Sequence, residues 1–292
     1  MPEEPKQIVI GWPDFWPEAQ KEYQRFFEVA HKLAPALHSV VDREYPSLMG
    51  YQRVILNLSM LAGITMTEVI TLAANGLGQG AMKCMRTLLE TSINTEYLRL
   101  NPSEFDDYKE WFWVERFKYM DFMRKNSPET FKYFDSAVVE DAERNMDRVR
   151  PRFLRKDGKL RHTWCKHDLA ERSVVTGHYD IYRMVNADAS GFIHGSMHAL
   201  MRYFDAEKDV DRIDIPPSLN WTAQALSTSH HCMGRIIETA TKTFGVPSDP
   251  SIEEISKDFE WAWEAKAKKA RSDNDDSNPR NEEFIRNEHP QQ

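Results

Sequence analysis

Cysteine is scarce in this chain: three in 292 residues, Cys84, Cys165 and Cys232, widely spaced and with no CxxC among them. That spacing excludes a disulfide framework and a cysteine zinc site, and it predicts a reducing, cytoplasmic setting. Runs that alternate polar with apolar residues are missing as well, so no strand is expected. The opening residues, MPEEPKQIVIGWPDFWP, are acidic at the start and hold no apolar stretch of signal-peptide length. One long apolar stretch does occur, VILNLSMLAGITMTEVITLAA (54–74), but it contains Asn57, Glu68 and several hydroxyls. A charge in mid-span is costly in a bilayer, so the stretch reads as a buried core helix and no membrane partner is expected.

Net positive charge is also lacking. The formal charge of −8 opposes indiscriminate nucleic-acid binding, which needs a cationic surface. One segment departs from the average: AERNMDRVRPRFLRKDGKLR (142–161) carries eight Lys/Arg against three Asp/Glu. It reads either as a solvated face or as a docking site for RNA or another anionic ligand.

What is present is a globular composition, 41% apolar and 11% aromatic, in a chain long enough to bury a sizeable core. Helical periodicity dominates, and an all-α, multi-helix bundle with short connections is expected. Helices are predicted over 18–44 (broken or kinked near Pro35), 51–74, 81–100, 102–125, 163–174, 179–205, 219–245 and 251–270, while 127–160 is less periodic. NGLGQG after the second helix is a stop signal and follows no strand, so it is not a dinucleotide fingerprint. The organisation expected is an N-terminal arm (1–17), a helical bundle (18–247), a C-terminal helix (248–270) and a charged, disordered tail (271–292).

Within the helix predicted over 179–205, SGFIHGSMH places two glycines and two histidines in nine positions. Rows four residues apart are neighbours on a helix. One row is small (Ala187, Gly191, Gly195, Ala199), which suits close approach of a neighbouring helix. The row beside it is polar (Asn186, Ser190, His194, His198, Arg202) and reads either as a satisfied structural network or as the edge of a pocket. His194 and His198 could face one metal ion, but neither HExxH nor the Glu-x-x-His pairs of di-iron bundles are present, so no metal and no cofactor is expected. In 81–100, Arg86 and Glu90 sit at i, i+4 on the flank of an apolar face, close enough to pair. Glu96 projects into that face and needs a partner. If the two helices pack together, Arg86, Glu90, Ser190 and His194 converge, which has the general form of an active site.

RTLLE, then YL, Asn-Pro and YKEW, and later WCKHDLAERSVVTGHYDIYRMVNADASGFIH, resemble an all-helical, mostly bacterial domain-of-unknown-function family over about residues 50 to 205. The resemblance marks Arg86, Glu90, Trp164, Tyr179, Tyr182, Ser190 and His194; His198 and the basic run lie outside its pattern. The architecture also resembles the HEPN superfamily of helical ribonucleases and nucleotide-binding proteins, whose signature is an arginine, four to six residues, then a histidine. RHTWCKH (Arg161 to His167) and RSVVTGH (Arg172 to His178) both match it. That likeness implies a homo-oligomer and a metal-independent endoribonuclease of the kind found in bacterial defence, with histidine as general acid or base and arginine on phosphate. The candidate catalytic residues are thus His194, Arg86, Glu90 and Ser190, with Tyr179, Tyr182, Trp164, His198, Arg161 and His167 as binding residues. The alternative is a non-catalytic module that binds a small ligand or nucleotide, or a partner, around a buried polar network.

Overall fold

The computed structural model describes residues 12–195, 217–247, 252–260 and 264. In chain order the helices are α1 (Trp16–Val41), α2 (Gly50–Ala74), α3 (Gly78–Leu100), α4 (Phe105–Asn126), α5 (Pro128–Phe131), α6 (Ser136–Val149), α7 (Leu169–Val175), α8 (Tyr179–His194), α9 (Thr222–Phe244) and α10 (252–260). No strand occurs among the described residues, only the isolated bridges Leu77 to Ser218 and Leu154 to Leu160. The fold is an all-α bundle.

Helix α3 organises it. Small or apolar residues recur on all its sides, so it can be covered all round, and Ala81, Met82, Met85, Leu88, Leu89, Ile93, Tyr97 and Leu98 are all buried. Its first two-thirds lie in the main core with α1, α2, α8, α9 and α10. Its last turn enters a second core made by Trp111 and Val114 of α4, Met146 and Val149 of α6, and Phe153, Trp164 and Cys165. Helix α2 is long and apolar enough to cross a membrane by length and composition, yet here Ile55, Ala62, Met66, Val69 and Ala73 are buried where it packs on α3 and α9.

Several boundaries differ from those read in the sequence. Helix α1 continues through Pro35, which is exposed, so the hydrogen bond it forfeits faces water; the non-helical backbone lies at Tyr23 instead (φ −127°, ψ 18°). The region 127–160 contains α6, whose Ala142, Met146 and Val149 face the core and whose start is capped by Asp135, the side chain accepting from the Ala137 N–H at 2.8 Å. Residues 163–168 are irregular, and α7 begins only at the reciprocal cap between Asp168 and Glu171. Helix α8 stops at His194, because Gly195 adopts the left-handed conformation (φ 58°) and returns its N–H to the Gly191 carbonyl. Of the small row, Gly191 is buried, but Ala187 is exposed and Gly195 has open space around it, and the core-facing residues include Val185, Ala189 and Phe192. Ala199 lies outside the described residues.

Close backbone approach does occur, at Gly78. The segment before α9 runs against the start of α3, with the Ser218 N–H donating to the Gly76 carbonyl at 3.0 Å. A Cβ on Gly78 would lie 1.8 Å from the Asn220 carbonyl oxygen. Gly78→Ala is expected to cost at least about 2 kcal/mol through backbone displacement. Gly195→Ala meets nothing within 4 Å and should cost only the about 1 kcal/mol of a left-handed alanine. Urea unfolding of the two variants, compared at unchanged denaturant slope, measures the difference.

Candidate functional site

The carboxylate of Glu96, buried in the middle of the bundle, has a partner 139 residues away in sequence. Arg235 of α9 donates from Nη2 to Oε1 at 2.6 Å and to Oε2 at 2.7 Å. The same nitrogen donates to the Thr176 carbonyl at 3.1 Å, and Nη1 reaches Glu238 at 3.3 Å. Thr176 belongs to the turn between α7 and α8, which Gly177 makes possible with φ 70°. One guanidinium thus ties α3, α9 and the α7–α8 turn together.

His178, fully buried, completes the cluster. Its Nδ1 lies 3.1 Å from the Thr176 carbonyl and 3.0 Å from the Thr176 hydroxyl, and the Ser92 hydroxyl lies 2.9 Å from Nε2. A proton on Nδ1, donated to the carbonyl, leaves Nε2 to accept from Ser92, so every polar atom of a neutral ring is satisfied. The Glu96 carboxylate is 3.8 Å from Nδ1, but Arg235 holds both its oxygens. Burial, with the neighbouring His231 and Arg235 as further causes, holds the His178 pKa down at about 4. His230 is likewise lowered to about 4 by burial, and His231 is lowered for the same reason.

Beside this cluster an open cleft of about 520 Å³ lies between α9 and α10. His230, His231, Arg235 and Glu238 line it from α9, Glu253 and Phe259 from α10. His230 is 7% exposed and stacks parallel on Phe259 with ring centroids 4.0 Å apart. Among the described residues its Nδ1 is buried without a hydrogen-bond partner, as are Nε2 of His231 and the hydroxyl of Thr241, two further residues that line this cleft.

The residues singled out in the sequence divide into separate places. Arg86 pairs with Glu90 at 2.5 Å, and its Nε donates to Asn186 at 3.2 Å. That contact, with Ser92 on His178 and Asn94 on Arg172, sets α3 antiparallel to α8. His194 is eight residues beyond Asn186, about 12 Å further along the axis, and is exposed in the last turn. Ser190, half-buried, lies between them. Among the described residues no bond joins His194 to Arg86 or Glu90, so the expected four-residue convergence reduces to Arg86, Glu90 and Asn186. Tyr179 is exposed and Tyr182 packs on the main core. Trp164 is buried edge-on to Tyr97 and Tyr108 beneath the Arg172 guanidinium. His198 lies outside the described residues. Arg161 is held by the carbonyls of Trp164 and Arg152 and sits 3.7 Å from Asp107, while His167 is exposed, 3.6 Å from Glu171. In the second arginine–histidine pair, Arg172 and His178 are both buried and fully engaged by protein groups.

The basic run is largely neutralised. Arg148 pairs with Glu110 at 2.5 Å, Arg152 with Asp107, Arg144 with Asp141 at 2.8 Å and Arg155 with Asp157 at 2.9 Å. Among the described residues, no cluster of three or more histidine, cysteine, aspartate or glutamate side chains could hold a metal ion.

A family model described as a family of unknown function, DUF5677, matches residues 52–212, more than half of the chain. The chain belongs to the DUF5677 family. No curated protein and no solved structure matches it. The DUF5677 stretch contains Arg86, Glu90, Glu96, Arg172, His178, Ser190 and His194, whereas His230, His231 and Arg235 follow it in sequence. The network is therefore built half from the DUF5677 region and half from the helix beyond. Sequence reasoning noted that Glu96 needs a partner but missed Arg235. The available signal was the spacing of His231 and Arg235, one helical turn apart on a helix whose other face is apolar.

The depressed pKa values give a direction for stability. Above about pH 6.5 the rings are neutral in the folded and unfolded chain alike. As pH falls, the unfolded chain takes up protons that folded His178 and His230 refuse until about pH 4. Stability is full above pH 6.5 and is lost between there and pH 4, on the order of 3 kcal/mol per ring. Urea unfolding at pH 7 and pH 5 should show this loss, and His178→Gln should reduce the slope by one proton.

Proposed function

We propose that this protein is a ligand-binding module whose site is the cleft between α9 and α10, and that its ligand is a small organic amine. The observation that carries the reading is the buried Nδ1 of His230, unpartnered among the described residues, in a ring that lines a cleft rimmed by carboxylates. A buried polar atom without a partner costs stability, and a ligand hydrogen bond offsets that cost.

Charge selects the class. Glu238, Glu253 and Glu260 line the cleft, Glu238 paired with Lys242 and Glu253 with Lys257, and among the described residues the one cation that lines it is Arg235, which Glu96 already engages. A phosphate would meet carboxylates there, while an ammonium would find acceptors. Ile252 and Phe259 offer apolar surface to the carbon chain between amino groups. The two histidines, neutral at physiological pH, add hydrogen-bonding capacity without adding positive charge.

Calorimetric titration with spermidine tests the reading. Saturable binding is expected, weakened about tenfold in His230→Phe, which keeps the ring on Phe259 but deletes the nitrogen. Glu260→Gln should weaken it further, and spermidine should raise the melting temperature of the parent protein only. Absence of saturable heat with spermidine, putrescine and agmatine overturns it.

A second reading, metal-independent RNA cleavage, is favoured by a different place. A cleft of about 650 Å³ is lined by Lys156, Arg161, His162 and Lys166 beside Asp168 and Glu171. Lys156, His162 and Lys166 are exposed and make no ion pair among the described residues, so a phosphate backbone could displace solvent there, with His162 or the neighbouring His167 as proton-transfer group. Purified protein in chelator should then cleave single-stranded RNA, and lose the activity in His162→Ala or His167→Ala. An RNA pool left intact removes this reading.

A further inference from the structure

The exposed residues of α2 form one stripe. Arg53, Asn57, Met60, Leu61, Ile64, Thr67, Glu68 and Thr71 are exposed, and every other residue after the exposed Gly50 at the start of the helix is buried or half-buried. Their spacing of three and four residues places them on a single face. The centre of the stripe is apolar: Met60 is 51% exposed, Leu61 47% and Ile64 61%. Isolated exposed apolar side chains are ordinary, but three contiguous ones on a helix with an opposite buried face mark an interaction surface.

The charges at the ends indicate what covers it. Arg53 stands towards one end and Glu68 towards the other, and neither side chain forms a hydrogen bond or ion pair among the described residues. A two-fold axis through the midpoint between Met60 and Leu61 relates each position of one helix to a fixed position of an antiparallel copy. It sets Arg53 opposite Glu68 at both ends, Met60 opposite Leu61 at the centre, and Asn57 opposite Ile64 between them. Fifteen residues separate the two charges, about 22 Å of helix, so both ion pairs flank one continuous apolar contact. Beside the stripe, a groove of about 340 Å³ between α1 and α2 is floored by Leu37, Gly63 and Met66, with Met60 and Ile64 on its rim. It gives the side chains of a second helix somewhere to seat.

We infer that α2 is a self-association surface, paired antiparallel with α2 of a second copy of this chain across a two-fold axis. A two-fold interface must be self-complementary, and this stripe is so in charge as well as in apolarity. An anionic lipid surface would instead favour a stripe flanked by cations alone, and here one flank is Glu68.

The test is sedimentation of the full chain across a concentration series. A monomer–dimer equilibrium is expected, with Ile64→Glu shifting the dissociation constant at least about tenfold towards monomer. Glu68→Arg alone should weaken the dimer comparably, by setting like charges opposite each other at both ends, and Arg53→Glu combined with Glu68→Arg should restore it. Because these side chains are exposed, circular dichroism should show all variants folded. Monomer at every concentration, or a dimer indifferent to Ile64→Glu and to the charge exchange, overturns the inference. So does flotation of the parent protein with phosphatidylcholine–phosphatidylglycerol vesicles that Ile64→Glu abolishes, which would assign the stripe to lipid.

Discussion

The ion pair between Glu96 and Arg235 is the constraint around which this bundle is arranged. A carboxylate on the covered face of a helix cannot reach water, and α3 carries one there, at Glu96. Desolvating that charge costs several kcal/mol unless a cation with good geometry meets it. Arg235 does so with two short bonds, and its remaining donors take the Thr176 carbonyl and Glu238. The position of the α7–α8 turn follows from the same guanidinium, and with it the placement of His178 against Ser92.

The cluster also controls protonation around it. His178 and His231 lie edge to face with centroids 5.7 Å apart, next to a permanently charged arginine, so a second positive charge is disfavoured on either ring. Neutral histidines bordering an acidic cleft form a chemical environment opposite to that of the Lys156–Lys166 region at the far end of α7. The first is built from α9 and α10, beyond the stretch matched to DUF5677, and the second lies inside it. A family relation that covers α2 to α8 thus includes the arginine–histidine turn, while the cleft of α9 and α10 is built from residues that follow the matched stretch.

Much of the fold was legible in the sequence because helix faces are written locally. The ranges of α2, α3 and α9 and the pairing of Arg86 with Glu90 all follow from spacings of three and four residues. Helix α6 was missed because its core-facing positions are few, Ala142, Met146 and Val149 within a run rich in charge. The extension of the eighth helix to residue 205 failed at Gly195, where a glycine compatible with tight packing in a helix serves equally as its left-handed terminus. The expected site was legible only in part: Arg86, Glu90 and Asn186 meet, while the antiparallel register of α3 and α8 carries His194 two turns away.

By itself the sequence determined that the fold is all-α, which residues of α3 turn inward, and that Glu96 needs a partner if it is to stay charged. Periodicity encodes these because each depends on neighbours within one or two helical turns. Only the tertiary structure decided that the cation is Arg235, that Arg172 and His178 are interior groups, and that the unpartnered histidine nitrogen lies beside the cleft of α9 and α10. Those choices rest on the register and crossing of helices more than a hundred residues apart, where burial converts ordinary polar side chains into obligatory partners or leaves them unpaired.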